Sequence, residues 1–143
     1  MQSNKRHVLF VDDAFFVIVD EIELAEPDVI DFRLHALSPF TTGQNEAKMQ
    51  GEKAGMRVLF DQDMLMSQSD VFDGADPAEV ERLPTQYHLC ATTRHRTNHH
   101  RLVSVLYPYA AGEEKSLTLN GDTICMNGRS WKLVKENEKY TIL

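Results

Sequence analysis

Asn-Gly occurs twice in the stretch LTLNGDTICMNGRSWKLV, at 120–121 and 127–128, each time between apolar and β-branched residues. Asn-Gly suits a type I′ hairpin turn, whose two central residues take positive φ and whose twist matches that of the paired strands. Two such turns in succession predict a three-stranded meander, and KENEKYTIL adds a turn near residues 136–138 and a last short strand. A sheet of alternating strands and helices leaves no place for them, because parallel neighbours need long crossovers.

The rest of the chain repeats with a period of two. In VIDFRLHAL, residues 29–37, one face carries Ile30, Phe32, Leu34 and Ala36, and the other carries Asp31, Arg33 and His35. That is a half-buried strand. MRVLF, YHLCAT and RLVSVLYPY read as further strands, the last ended by Pro108. The segment 67–86 is acidic, holds Gly and two prolines, and reads as a surface loop with one helical turn at Pro77 to Arg82. Residues 1–6 read as a disordered or appended tail, and 7–143 as a single domain. The fold class is therefore all-β, an antiparallel sandwich of supersandwich type with a C-terminal meander.

Near the N-terminus, HVLFVDDAFFVIVDEIEL places Asp12-Asp13 after an apolar strand, as phosphoacceptor receiver domains do, and Asp61 follows MRVLF as their third-strand aspartate would. A receiver needs a helix after the acidic pair. AFFVIV instead offers six consecutive apolar residues with no polar stripe, and Pro27 follows soon after. The pair reads as a hairpin turn, Asp12-Asp13-Ala14, in which aspartates accept local backbone N–H bonds. Asp20, Glu21 and Glu23 read as a solvated strand end. FFVIVD is apolar on both faces, which calls for a third layer over Phe15 to Val19: another domain, a second copy of the chain, or the loop 67–86.

With 143 residues and a net charge of −7, the chain is long enough to bury a core and too acidic for general nucleic-acid binding or adhesion to an anionic membrane. No apolar run reaches the ~20 residues that span a bilayer, and MQSNKR lacks the apolar core of a signal peptide. Cys90 and Cys125 lie in strand-like runs and read as free thiols, with a disulfide as the alternative. No cofactor is implied.

RHVLFVDDAFFVIVDEIE, then FRLHAL, then LVSVLYPY, over residues 6–109, resembles the β-sandwich portion of heparinase II/III-like polysaccharide lyases and related alginate lyases. In that family an α/α toroid packs on the sandwich, and uronate-containing polysaccharides are cleaved by β-elimination. The resemblance implies a structural or glycan-contacting module, a toroid as partner over Phe15–Val19, and a periplasmic or secreted setting. The family's catalytic Tyr and His motifs are not found here, so no catalytic residue is carried over and the chain alone is expected to be inactive. A generic interaction module that dimerises through the FFVIV strand is the alternative.

Arg94, His95, Arg96, His99, His100 and Arg101 form a basic cluster at the expected tip of a hairpin from His88 to Leu106. They read either as contacts for glycan carboxylate or sulfate, with arginine supplying paired bonds, or as a solvated polar turn. Arg33 and His35 join them as candidates, His35 because its position matches a histidine of the lyase family; Arg33 is expected to pair with Glu21 or Glu23. Tyr107, Tyr109, Trp131 and Tyr140 are available to stack on sugars, although a tryptophan placed like Trp131, at the start of a meander strand, is more often core. His88 and Cys90 share a strand face near three more histidines, but the spacing matches no closed zinc motif, and no metal is expected.

Overall fold

The computed structural model describes all residues, 1–143. The strands are β1 (Ser3–Val11), β2 (Phe15–Asp28), β3 (Asp31–Ala36), β4 (Phe40–Thr42), β5 (Glu46–Gln50), β6 (Ala54–Phe60) and β7 (Met64–Ser69). After the short helix α1 (Pro77–Val80) come β8 (Tyr87–Thr93), β9 (Thr97–Ala110), β10 (Leu117–Asn120), β11 (Thr123–Met126), β12 (Arg129–Glu136) and β13 (Lys139–Ile142).

All pairings are antiparallel, and they build three sheets. Six strands form the central one, in the order β1-β2-β9-β6-β5-β4. The meander β10-β11-β12-β13 covers one of its faces, and β3-β8-β7 covers part of the other. The chain is an all-β antiparallel sandwich with a third layer.

That third layer answers the apolar run in FFVIVD. Phe15, Val17 and Val19 turn toward the meander and pack with Leu117, Ile124, Trp131, Leu133 and Tyr140. Ile18 turns the other way, onto Phe32, Phe60, Met64 and Ala91. The meander, not a toroid, a second copy or the 67–86 loop, thus covers Phe15, Val17 and Val19. Only Phe16 of this run stays exposed, beside Val8 and Phe10, where β3-β8-β7 does not reach.

The turns follow local chemistry with one shift of register. Asn127 and Gly128 both have positive φ and close β11 onto β12 as a two-residue loop. At the earlier pair, Asn120 bonds across to Thr123, so the central residues are Gly121-Asp122 and only Gly121 takes positive φ. That is the pattern of a II′ turn, with glycine first. Asn137-Glu138 forms the third turn. At the other end, Asp12 and Asp13 have φ of 49° and 51°, and Ala14 donates its N–H to Val11 at 2.9 Å. A strand follows this turn, not a helix, so the receiver alternative fails.

Other expectations are corrected. Ser3 to Arg6 belong to β1, opposite Glu23 to Asp20, so the fold begins within the expected tail. β7 extends into the 67–86 segment as far as Ser69. β9 runs through Pro108, beyond the end of its pairing with β2, where a strand tolerates a missing N–H as an edge does. β8 and β9 do not form a hairpin: β3 and β7 flank β8, while β2 and β6 flank β9, so Arg94 to Arg96 cross between sheets.

Asp61 caps this arrangement by accepting the Val103 N–H at 3.1 Å, with Arg101 3.7 Å away. Burial, the leading cause, raises its carboxyl above the usual range. A carboxyl with a raised folded value contributes most when protonated, and its contribution is lost as pH rises through that value. Asp61→Asn keeps an oxygen for Val103. It is therefore expected to equal or exceed the parent in stability at neutral pH, by on the order of 1 kcal/mol at most. The gain should vanish as pH falls below the carboxylate range. Urea titrations at several pH values check this, and a variant less stable at every pH would contradict it.

Candidate functional site

At the end of the central sheet where β1, β2 and β9 meet the meander, ten residues line an open cleft of about 450 Å³. Its charged members are Lys5, Glu21, Glu23, Arg101, Lys135 and Glu138, with His99 and His100 beside them. β2 and β9 place Glu23 opposite His99 and Glu21 opposite Arg101, while β12 and β13 bring Lys135 and Tyr140 over them.

Glu21 is the hub. Lys135 Nζ donates to its Oε1 at 2.7 Å and the Tyr140 hydroxyl donates to the same oxygen at 2.9 Å. The bond from Lys135, then that from Tyr140, holds the Glu21 carboxyl below its ordinary value against the opposing effect of burial. His7 Nε2 lies 3.7 Å from Glu21 Oε2, and its ring meets Tyr140 edge-on at 4.9 Å. Arg101 donates to the Tyr140 hydroxyl at 3.2 Å and to Asp122 at 2.7 Å. The phenol thus gives its proton to one partner and accepts from another. Cations and carboxylates alternate here, so the cleft carries no strong excess of either sign.

The basic cluster is divided. His99, His100 and Arg101 reach the cleft; Arg94, His95 and Arg96 lie in the exposed crossing between sheets. Arg96 pairs with Asp28 at 2.6 Å, and His99 faces Glu23 at 3.9 Å. His100 is buried, its Nε2 2.7 Å from the Asp28 carbonyl. Arg94 and His95 form no ion pair. Local sequence could not reveal this division, because the carboxylates come from distant parts of the chain: Glu23 and Asp28 from β2, Asp61 after β6 and Asp122 from the turn between β10 and β11.

Arg33 and His35 lie elsewhere, on the outer face of β3. Arg33 pairs with Asp31 of its own strand at 2.9 Å, not with Glu21 or Glu23, because β3 joins a different sheet from β2. The Thr92 hydroxyl, then Arg33, holds Asp31 below the usual carboxylate range. His35 faces His88 across the strands, with ring nitrogens 3.3 Å apart, and Phe72 packs on His88. No group of three His, Cys, Asp or Glu side chains is placed to hold a metal ion. Cys90 and Cys125 are free and half-buried. Tyr107, Tyr109, Trp131 and Tyr140 are buried in the core between the central sheet and the meander, which removes them as stacking platforms.

Sequence reasoning missed His7 and Lys135 and took Asp20 for a solvated residue. Asp20 is 2% exposed and receives two bonds from Arg6, at 2.6 and 2.9 Å. The period-two pattern of FFVIVD put Asp20 on the same face as Ile18, which was the available signal.

No protein-family model matches the sequence, and no curated protein does. Solved structures do match. The chain is similar in fold to part of heparan sulfate lyase HepC from Pedobacter heparinus. The TM-score is 0.64 at 12% identity, over 98% of this chain and 23% of HepC. A mutant of HepC matches at TM-score 0.59 and 14% identity, with the same coverage. The chain therefore spans less than a quarter of the length of HepC, and at this identity the likeness concerns fold alone.

Proposed function

We propose that the chain is the β-sandwich domain of a heparinase II/III-like polysaccharide lyase. Its role is structural or glycan-contacting, and it is not catalytic alone. One observation carries this: nearly the whole chain, 98%, superposes on a quarter-length piece of HepC.

The glycan would be an anionic, uronate-containing polysaccharide, met by the cations that no carboxylate neutralises. Arg94 is such a residue within the original cluster, with His95 beside it as a hydrogen-bonding neighbour; Arg96, His99, His100 and Arg101 serve the fold first, and Arg33 and His35 sit on a separate face. A toroid partner, if carried by the parent protein, would pack elsewhere than over Phe15, Val17 and Val19.

Calorimetric titration with heparan sulfate and alginate oligosaccharides tests the reading. Weak binding is expected, reduced several-fold by Arg94→Ala combined with His95→Ala, since each removes a contact to the anion. Binding unchanged in the double variant, or absent from the parent chain, would contradict a glycan-contacting role. Incubation with either polymer should yield no ultraviolet-absorbing unsaturated uronate; its appearance would contradict an inactive domain.

A further inference from the structure

We propose that β1 is the contact strand of a symmetric homodimer, in which two copies join edge to edge and antiparallel, with Leu9 on the two-fold axis. β1 is the outer strand of the central sheet and pairs with β2 alone. Half of its backbone N–H and C=O groups therefore point away from the sheet, a template that proteins usually blunt with proline, a bulge or inward-pointing charge. β1 has no proline and its register with β2 is unbroken over nine residues; its one inward-pointing charge, Arg6, is held by Asp20 and leaves Val8 to Val11 uncharged.

The side chains indicate what the edge accepts. Val8 is 59% exposed and Phe10 56%, and Phe10 stacks on exposed Phe16 with ring centres 4.6 Å apart. This apolar strip lies on the face that β3-β8-β7 leaves open. The sequence around it, Lys5-Arg6-His7-Val8-Leu9-Phe10-Val11-Asp12-Asp13, reverses its charge about Leu9, with cations on one side and carboxylates on the other.

Antiparallel pairing centred on Leu9 sets Val8 against Phe10 of the other copy and brings Lys5 and Arg6 to the Asp12-Asp13 turn that ends the facing strand, each contact occurring twice by symmetry. Parallel pairing in register would oppose like charges at both ends. A second copy thus satisfies the backbone edge, the apolar strip and both charged ends at once.

The charged groups have only partial commitments within one chain. Lys5 lies 3.7 Å from exposed Glu138, and Asp12 meets Arg129 across an exposed bridge. Arg6 holds Asp20 while its own side chain stays about half exposed, at 54%. Asp13 forms no ion pair. The pairing would run one continuous central sheet through both copies.

Sedimentation equilibrium of the full chain, from low micromolar to several hundred micromolar, tests the proposal, with circular dichroism to verify that each variant folds. The parent chain is expected to approach twice its own mass. Phe10→Thr, on an exposed site and compatible with a strand, should weaken the dimer at least about tenfold. Lys5→Glu and Asp13→Lys should each weaken it alone, and an equimolar mixture of the two should dimerise better than either. A parent chain monomeric throughout, or a dimer indifferent to Phe10→Thr, would overturn the interface; a mixture no better than its components would overturn the register.

Discussion

Phe15→Ala is expected to lower the free energy of unfolding by about 3–5 kcal/mol, the range for truncating a buried aromatic side chain. Phe15 is fully buried and meets Trp131 edge-on, with ring centres 5.3 Å apart. The pair joins the central sheet to the meander, so the loss has two parts. Transfer of the ring from water is forfeited, and the cavity opens between layers whose backbones are each held by their own hydrogen bonds and cannot readily close on it. Domains of this size are stable by about 5–15 kcal/mol, so the variant should be at or near the edge of folding. Urea unfolding followed by tryptophan fluorescence measures the change. A loss below about 1 kcal/mol would mean that Phe15 does not fill this interface.

Arg6→Ala is expected to cost about 2–3 kcal/mol, well above the value of a surface ion pair. The reason is its partner. Asp20 is almost wholly buried on the face it shares with Ile18, and both oxygens accept from the Arg6 guanidinium. Removing the arginine leaves a buried carboxylate with no counter-charge. The figure lies below that for a fully buried pair because solvent reaches the outer side of Arg6. Asp20→Asn in the Arg6→Ala background should recover part of the loss, because the residual penalty is one of charge. Equal losses in the single and double variants would show that packing of the arginine stem, not its charge, is what matters.

Much of the fold was legible in short-range pattern. Alternation identified the strands, Asn-Gly located the meander, and the absence of a polar stripe in AFFVIV separated a hairpin from a receiver domain. The double-sided apolar character of β2 correctly demanded a third layer. What covers it was harder to read, because the meander residues that do so, Leu117 to Tyr140, lie about a hundred positions later and have no local mark linking them to Phe15.

The site was less legible for a related reason. A run such as Arg94 to Arg101 appears as one basic patch when only neighbours in sequence are counted. In the structure a sheet boundary passes through it, and Asp28, Glu23, Asp61 and Asp122 draw its members into separate pairs. Register decides which carboxylate faces which cation, and register is set by distant partners rather than by spacing. The Glu21–Tyr140 bond, between residues 119 positions apart, is the clearest instance.

The three-layer arrangement is the claim on which the buried Phe15 and the buried aromatic residues all depend. Nuclear Overhauser effects between the methyl groups of Val17 and Val19 and the side chains of Trp131 and Leu133 measure it directly. Cross-peaks among these groups are predicted in the isolated chain. Their absence, with the meander's own cross-strand contacts intact, would mean that the meander folds apart from β2 and leaves that face open for another partner.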